Sequence, residues 1–195
     1  MPSTDLVIVA DGSYNGSNGT GGVGFQIHGV GFHLEGGAAF SKHLCRSSID
    51  AEIAAILRGM IVAYRLMAKH PDLAASSLLV RCDCQHAVDI MAGKRPKGIA
   101  PWLIVLRARV LGWYGDDGYA VKFKRIAKPE DRPRGQLAPL HQALKACDQL
   151  SKSFCGFGYS TGFGLELSSI EEVGQITGLQ RGGSWDLKNI RGLCE

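Results

Sequence analysis

The chain opens on a short apolar run, Leu6 to Ala10, that stops at an acid, Asp11, and passes into a glycine-rich stretch. The run has the length of a buried strand. Val23, Phe25 and Ile27 then alternate with smaller or polar residues, as on a half-buried antiparallel strand. The pattern predicts strands over 23–30 and 32–40, joined at a Gly-rich turn. After Cys45 the period changes. Ile49, Ile53, Ile56, Met60, Tyr64 and Met67 recur at three- and four-residue steps, one apolar stripe on a long helix. Ser47 and Ser48 are candidate N-caps, with Asp50 three after Ser47 in a capping-box-like spacing, and His70-Pro71 ends the helix.

Leu78 to Val80 begins a fourth strand that runs into Cys82 and Asp83. Gln85 to Ala92 reads as a short helix, and GKRPKG as a basic loop. Pro101 suits the first turn of a helix carrying Trp102 to Leu111. Asp116-Asp117-Gly118 reads as a turn, and Tyr119 to Ile126 as a fifth strand. The Pro-rich, charged segment 127–139 is a loop. A last main-domain helix covers about Leu140 to Phe154. The order βββαβα(α)βα implies a mixed sheet with helices packed on it. From Cys155 the chain turns glycine- and aromatic-rich, like a linker. SIEEVGQITGLQRGGSWDLKNIRG then has a helix-turn-helix rhythm, which two short helices docked on the main domain explain equally well. Residues 1–154 are thus expected to form the main domain, and 155–195 a Gly-rich linker with a short helical tail.

A length of 195 residues suits one domain with a sizeable core. No apolar run approaches the roughly 20 residues needed to span a bilayer. No basic segment followed by an apolar core opens the chain as a secretory signal would. The expectation is a soluble, cytoplasmic monomer with no membrane partner. The net charge of +4 permits nucleic-acid binding without arguing for it. The six cysteines, Cys45, Cys82, Cys84, Cys147, Cys155 and Cys194, are scattered. One CxC pair without a second pair or a His couple is a poor zinc site, so the cysteines read as small buried hydrophobes in a reducing compartment.

Four acids carry the candidate chemistry. Asp11 and Asp83 end strands. Glu52 lies near the start of the long helix, and Asp148 in the last helix beside Leu144, Cys147 and Leu150. If the first and fourth strands are neighbours, their ends put Asp11 and Asp83 side by side, where the helices deliver Glu52 and Asp148. Clustered carboxylates repel unless a cation neutralises them. Two Mg²⁺ ions would do so, and would activate water for phosphodiester hydrolysis.

These residues carry a resemblance. DGSYNGSNGTGGVGF resembles the opening motif of the ribonuclease H family, in its bacterial and phage form: an acid, a Gly-rich turn, then GG-x-G into the second strand. AEIAAI, Ala51 to Ile56, is similar to the helix motif around that family's catalytic glutamate. CDCQHAV, Cys82 to Val88, is similar to its D-S-Q-x-V motif, with Cys84 in place of serine. ACDQLSKS, Ala146 to Ser153, resembles the closing A-D-x-L-A helix. The resemblance covers roughly residues 5–154, with four motifs in order. It implies an α/β fold with a mixed five-stranded sheet, three antiparallel strands plus two parallel, flanking helices and a small C-terminal helical extension. It implies a two-metal endonuclease that cuts RNA paired to DNA, leaving 5′-phosphate and 3′-hydroxyl ends. Asp11, Glu52, Asp83 and Asp148 would hold two Mg²⁺, for which Mn²⁺ can substitute. His141 is the one candidate for the family's loop histidine. Gly12, Ser13, Asn15, Asn18, Ser48 and Gln85 would approach the RNA–DNA hybrid, and Lys94, Arg95 and Lys97 its phosphates.

The chain departs from the family in places. Ser48 and Ile49 stand where paired Asn residues are usual, the loop before the last helix has no central His, and only KRPKG replaces a longer basic protrusion. Two other readings therefore stay open. One is a nuclease on the same fold acting on another nucleic acid. The other is a non-catalytic module using residues 156–195 to recruit a protein or nucleic acid. Each acid also has a structural use of its own: Asp11 in a turn, Asp83 as a helix cap, Glu52 beside a helix dipole, Asp148 in an ion pair with Lys145 or Lys152.

Overall fold

Five strands form one sheet in the order β3-β2-β1-β4-β5. The computed structural model describes residues 6–29, 32–40, 44–69, 77–127 and 138–156. The elements are β1 (Leu6–Asn15), β2 (Thr20–Gly29), β3 (Phe32–Phe40), α1 (Ser48–Lys69), β4 (Ser77–Cys82), α2 (Gln85–Met91), α3 (Pro101–Asp116), β5 (Ala120–Arg125) and α4 (Ala138–Gly156). β1 pairs antiparallel with β2, and β2 with β3; β1 pairs parallel with β4, and β4 with β5. The mixed sheet of three antiparallel and two parallel strands expected from the sequence is the one observed. The linker and helical tail expected over 155–195 start later: α4 continues to Gly156, because Cys155 is buried against Thr20 of β2, and residues 157–195 lie outside the described residues.

Several bounds differ from expectation, each for a physical reason. β1 does not stop at Asp11; it continues to Asn15 because β2 stays paired with it up to Asn15↔Thr20. β2 is not half-buried. Its burial is continuous over Gly21 to Ile27 because α1 covers one face of the sheet and α4 the other. α3 runs past Leu111 to Asp116 because Tyr114 is drawn fully into the core, where its hydroxyl donates to the Met60 carbonyl at 2.7 Å. The turn then follows at Asp117, with Gly118 at φ 75°.

The apolar stripe on α1 packs where the period predicts. Ile53, Ile56, Leu57 and Met60 join Leu6, Ile8, Phe25 and Ile27 in one cluster, with Leu103, Leu106 and Val110 of α3 beyond them. Asp50 N–H donates to Ser47 Oγ at 3.2 Å, so Ser47 caps the helix. The Asp50 carboxylate does not close a capping box. It accepts from the N–H groups of Arg46 and Ala100, at 3.0 and 2.8 Å, and ties the start of α1 to the start of α3. The five described cysteines are free thiols. No helix among the described residues is long and apolar enough to cross a membrane.

Candidate active site

The site sits where β4 runs out beside β1. Parallel pairing runs from Leu6↔Leu78 to Val9↔Arg81, and the same offset carries Asp11 opposite Asp83, the first residue past β4. On its other side Asp11 is still paired, to Gly24 of β2. Asp11 therefore lies in a notch, fixed by a ladder on one edge and open on the other. Strand alternation places it with Val7 and Val9, on the α4 side of the sheet.

Glycine at position 12 brings the second acid in. A Cβ there would collide with the backbone of Ala51 and Glu52, so β1 touches the first turn of α1. At that contact Gly12 N–H donates to Glu52 Oε2 at 3.2 Å. Cys82 Sγ lies 3.4 Å from the same oxygen and donates to it. Gly22 does the same for α4, whose Ser151 backbone fills the space a Cβ would take. Ser151 is fully buried, and its hydroxyl lies 3.1 Å from Asp11 Oδ2 and 2.8 Å from Ser13 Oγ. One turn earlier α4 carries Asp148, whose two oxygens each lie 2.7 Å from Lys152 Nζ.

The carboxylates feel one another. Asp11, 7% exposed, is pushed up to about 7 by burial and by the charges of Asp83 and Asp148, against the Ser151 hydrogen bond and Lys152. Glu52 is pushed up to about 9 by burial, Asp11 and Asp83, against the Cys82 and Gly12 hydrogen bonds. Burial and the neighbouring Glu52 hold the Cys82 thiol well above its ordinary value, so it remains a protonated donor. Donor atoms of Glu52, Cys82 and Asp83 all lie within 4.8 Å of one another. Asp11, Glu52 and Asp83 thus lie in one another's field, and Asp148, paired with Lys152, adds its charge at Asp11.

The other expected residues divide. Gly12 and Ser13 belong to the site, but their N–H and hydroxyl are spent on Glu52 and Ser151. Asn15 and Asn18 shape the exposed hairpin turn, each accepting from the residue two further on. Ser48 is exposed at the first position of α1. Gln85 reaches Asp89 at 2.8 Å, and Lys94 forms an ion pair with Asp89 at 2.8 Å, while Arg95 and Lys97 are exposed. His141 Nε2 lies 3.1 Å from the Ala127 carbonyl, and helical rise sets it about 10 Å from Asp148 along α4. His86 is exposed. Trp102 and Trp113 are half-buried against the core, and Trp102 donates to the Leu44 carbonyl at 2.9 Å.

Among solved structures, LC11-RNase H1 in complex with an RNA/DNA hybrid matches over 76% of this chain and 94% of its own, at 20% identity and a TM-score of 0.53. The N-terminal RNase H domain of Rv2228c from Mycobacterium tuberculosis matches over 78% and 94%, at 21% identity and 0.51. LC9-RNase H1 matches over 83% and 77%, at 18% identity and 0.51. The fold is that of ribonuclease H. No protein-family model and no curated protein sequence matches the chain.

Two residues of the candidate site, Ser151 and Cys82, lie inside the quoted motifs but were not singled out there. Ser151 follows Asp148 by three residues, so a helix presents both on one side, which was the available signal. Cys82 reads as a buried hydrophobe, and it is one, but burial at the end of β4 also sets its thiol against Glu52.

Proposed function

We propose that the chain is a metal-dependent endonuclease that hydrolyses the RNA strand of RNA–DNA hybrids and leaves 5′-phosphate and 3′-hydroxyl ends. The observation that supports this reading is that Asp11, Glu52 and Asp83 lie in one another's field where β4 ends beside β1, with the charge of Asp148 adding at Asp11. Packing gains nothing from bringing like charges together, and Asp11 and Glu52 lie well above ordinary carboxylates. The ribonuclease H fold supports the reaction class, and the hybrid bound by LC11-RNase H1 supports the substrate.

The donor set fits a hard divalent cation. It offers carboxylate oxygens, which suit Mg²⁺ or Mn²⁺, and its excess negative charge is what such a cation would neutralise. The Cys82 thiol is a soft donor but is engaged as a proton donor to Glu52. Asp11, Glu52, Asp83 and Asp148 would hold two Mg²⁺, which supply activation of water and charge stabilisation at the leaving oxygen. The protein's own part is positioning. Gly12 N–H sets Glu52, the Ser151 hydroxyl sets Asp11, and Lys152 orients Asp148. His141 anchors the start of α4 to the end of β5, and we assign it to that loop rather than to direct contact with the carboxylates.

The test is cleavage of matched RNA–DNA hybrid, double-stranded RNA, double-stranded DNA and single strands with Mg²⁺ or Mn²⁺, against chelator and Asp11→Asn controls. Metal-dependent cutting confined to the RNA strand of the hybrid is the expected result. An active Asp11→Asn variant would sink the carboxylate assignment. Cutting of another nucleic acid instead would move the substrate and keep the site.

A further inference from the structure

One face of the sheet edge beside the acid notch is positively charged, and strand register fixes where. Val7 pairs with Leu79 and Leu79 with Lys122; Val9 pairs with Arg81 and Arg81 with Lys124. These are two transverse rows across β1, β4 and β5. One row further along lie Asp11 and Asp83. Alternation decides the face. Val121 and Phe123 pack against the α1-side core, whereas Ile126 joins Val9, Ala143 and Cys147 on the α4 side. Lys122 and Lys124 therefore project on the α4 side, the side of Asp11 and Asp83. At a strand rise of about 3.3 Å per residue, the Arg81–Lys124 row stands about 7 Å behind the acid row.

β5 is the outermost strand, and both lysines are exposed. Neither makes an ion pair among the described residues, whereas Lys94 in the GKRPKG loop is spent on Asp89. α4 packs on β1, β2 and β3, leaving the β5 lysines uncovered by it. A phosphodiester chain reaching the notch meets carboxylates there, and needs fixed cations close by to hold its neighbouring phosphates.

We propose that Lys122 and Lys124 form a phosphate-binding strip, which holds the backbone of the nucleic-acid strand passing through the acid notch. The strip deepens the functional reading above and rests on it. Lysines on an edge strand also guard against edge-to-edge pairing, a role that leaves nucleic-acid binding untouched.

The experiment compares the full chain with its Lys122→Gln/Lys124→Gln variant, both in the non-cleaving Asp11→Asn background. Binding of the same four nucleic acids is followed as salt rises from about 50 to about 200 mM. Loss of two phosphate contacts is expected to reduce the slope of log affinity against log salt by about 1.5. The melting temperature should be unchanged, since both side chains are exposed. Equal slopes overturn the strip and leave hybrid cleavage standing. A reduced slope on a different nucleic acid, in a chain that does not cut the hybrid, supports the strip and overturns the substrate. Binding to none of the four overturns both.

Discussion

The two faces of the sheet are built from different material. On the α1 side, large apolar side chains interlock in three layers: Ile8, Phe25 and Ile27 from the strands, Ile53, Ile56 and Met60 from α1, then Leu103, Leu106 and Tyr114 from α3. On the α4 side the apolar cluster is small, with Val9, Ile126, Ala143 and Cys147 at its centre. It gives way along β1 to Asp11, Ser13 and Ser151, polar groups that satisfy one another. Stability is concentrated on the first face and, in the proposed function, chemistry at the edge of the second, so substitutions should separate the two.

The largest separation is expected between Asp11→Asn and Ile56→Ala. Asp11→Asn should lower cleavage by about a thousandfold or more, while the metal-free protein melts no lower than before at neutral pH, because a desolvated like charge is gone. Ile56→Ala should cost about 3 kcal/mol in denaturant unfolding by opening a cavity in a fully buried position, with kcat retained by the molecules that remain folded. If Asp11→Asn destabilised as much as Ile56→Ala, the division between the faces would fail.

Gly12→Ala strikes the seam between the faces and should hurt both properties. Its Cβ has no room against Ala51 and Glu52, so β1 and α1 must part. The expected cost is about 2 kcal/mol of stability, together with a fall in kcat of about a hundredfold as Glu52 loses its hydrogen bond to Gly12. Retained kcat with lowered stability would mean the Gly12–Glu52 hydrogen bond is not needed for the chemistry.

Acidity offers a milder probe of the same contrast. Asp11 and Glu52 sit at about 7 and about 9, above their unfolded values of 3.8 and 4.5. The folded state therefore holds protons that the unfolded state releases. That contribution favours folding below the unfolded values and is lost as pH rises through the folded ones. The metal-free protein should melt higher near pH 5 than near pH 9, by on the order of 5 °C, and Mg²⁺ should close the gap. Asp11→Asn should flatten the profile. A melting temperature that rises from about pH 5 to about pH 9 without metal would contradict the raised values.

The sequence displayed the α1 face far better than the α4 face, for a physical reason. Ile53, Ile56 and Met60 announce themselves by period, because burial of a helix stripe demands it. The acids were legible as types and order, and four motifs carried the fold. Their geometry was not. That β1 continues past Asp11 depends on β2 staying paired after β4 has ended, which is a property of three strands together. Lys94 looked free in a basic loop because its partner, Asp89, lies across a helix end. Lys122 and Lys124 alternate with Val121 and Phe123 as any edge strand's polar residues do, and only the register sets them behind Asp11 and Asp83.

The finest test lies inside the site, at a residue that touches no substrate in this reading. Ser151 is fully buried between Asp11 Oδ2, Ser13 Oγ and the carbonyl of Asp148, at 3.1, 2.8 and 3.0 Å. Its hydroxyl fixes one oxygen of Asp11 on a group that also belongs to the helix carrying Asp148. Removing it leaves the serine's Cβ in place, so packing changes little. Ser151→Ala should therefore cost only about 1 kcal/mol of stability. Metal affinity, read by calorimetric titration with Mn²⁺, should fall about tenfold, as for other groups that orient a ligand. Ser151→Thr restores the hydroxyl and should recover part of that affinity. An affinity unchanged by Ser151→Ala would mean that Asp11 is held well enough by its place between β2 and the end of β4. The notch, rather than the hydroxyl behind it, would then be sufficient to position the first carboxylate.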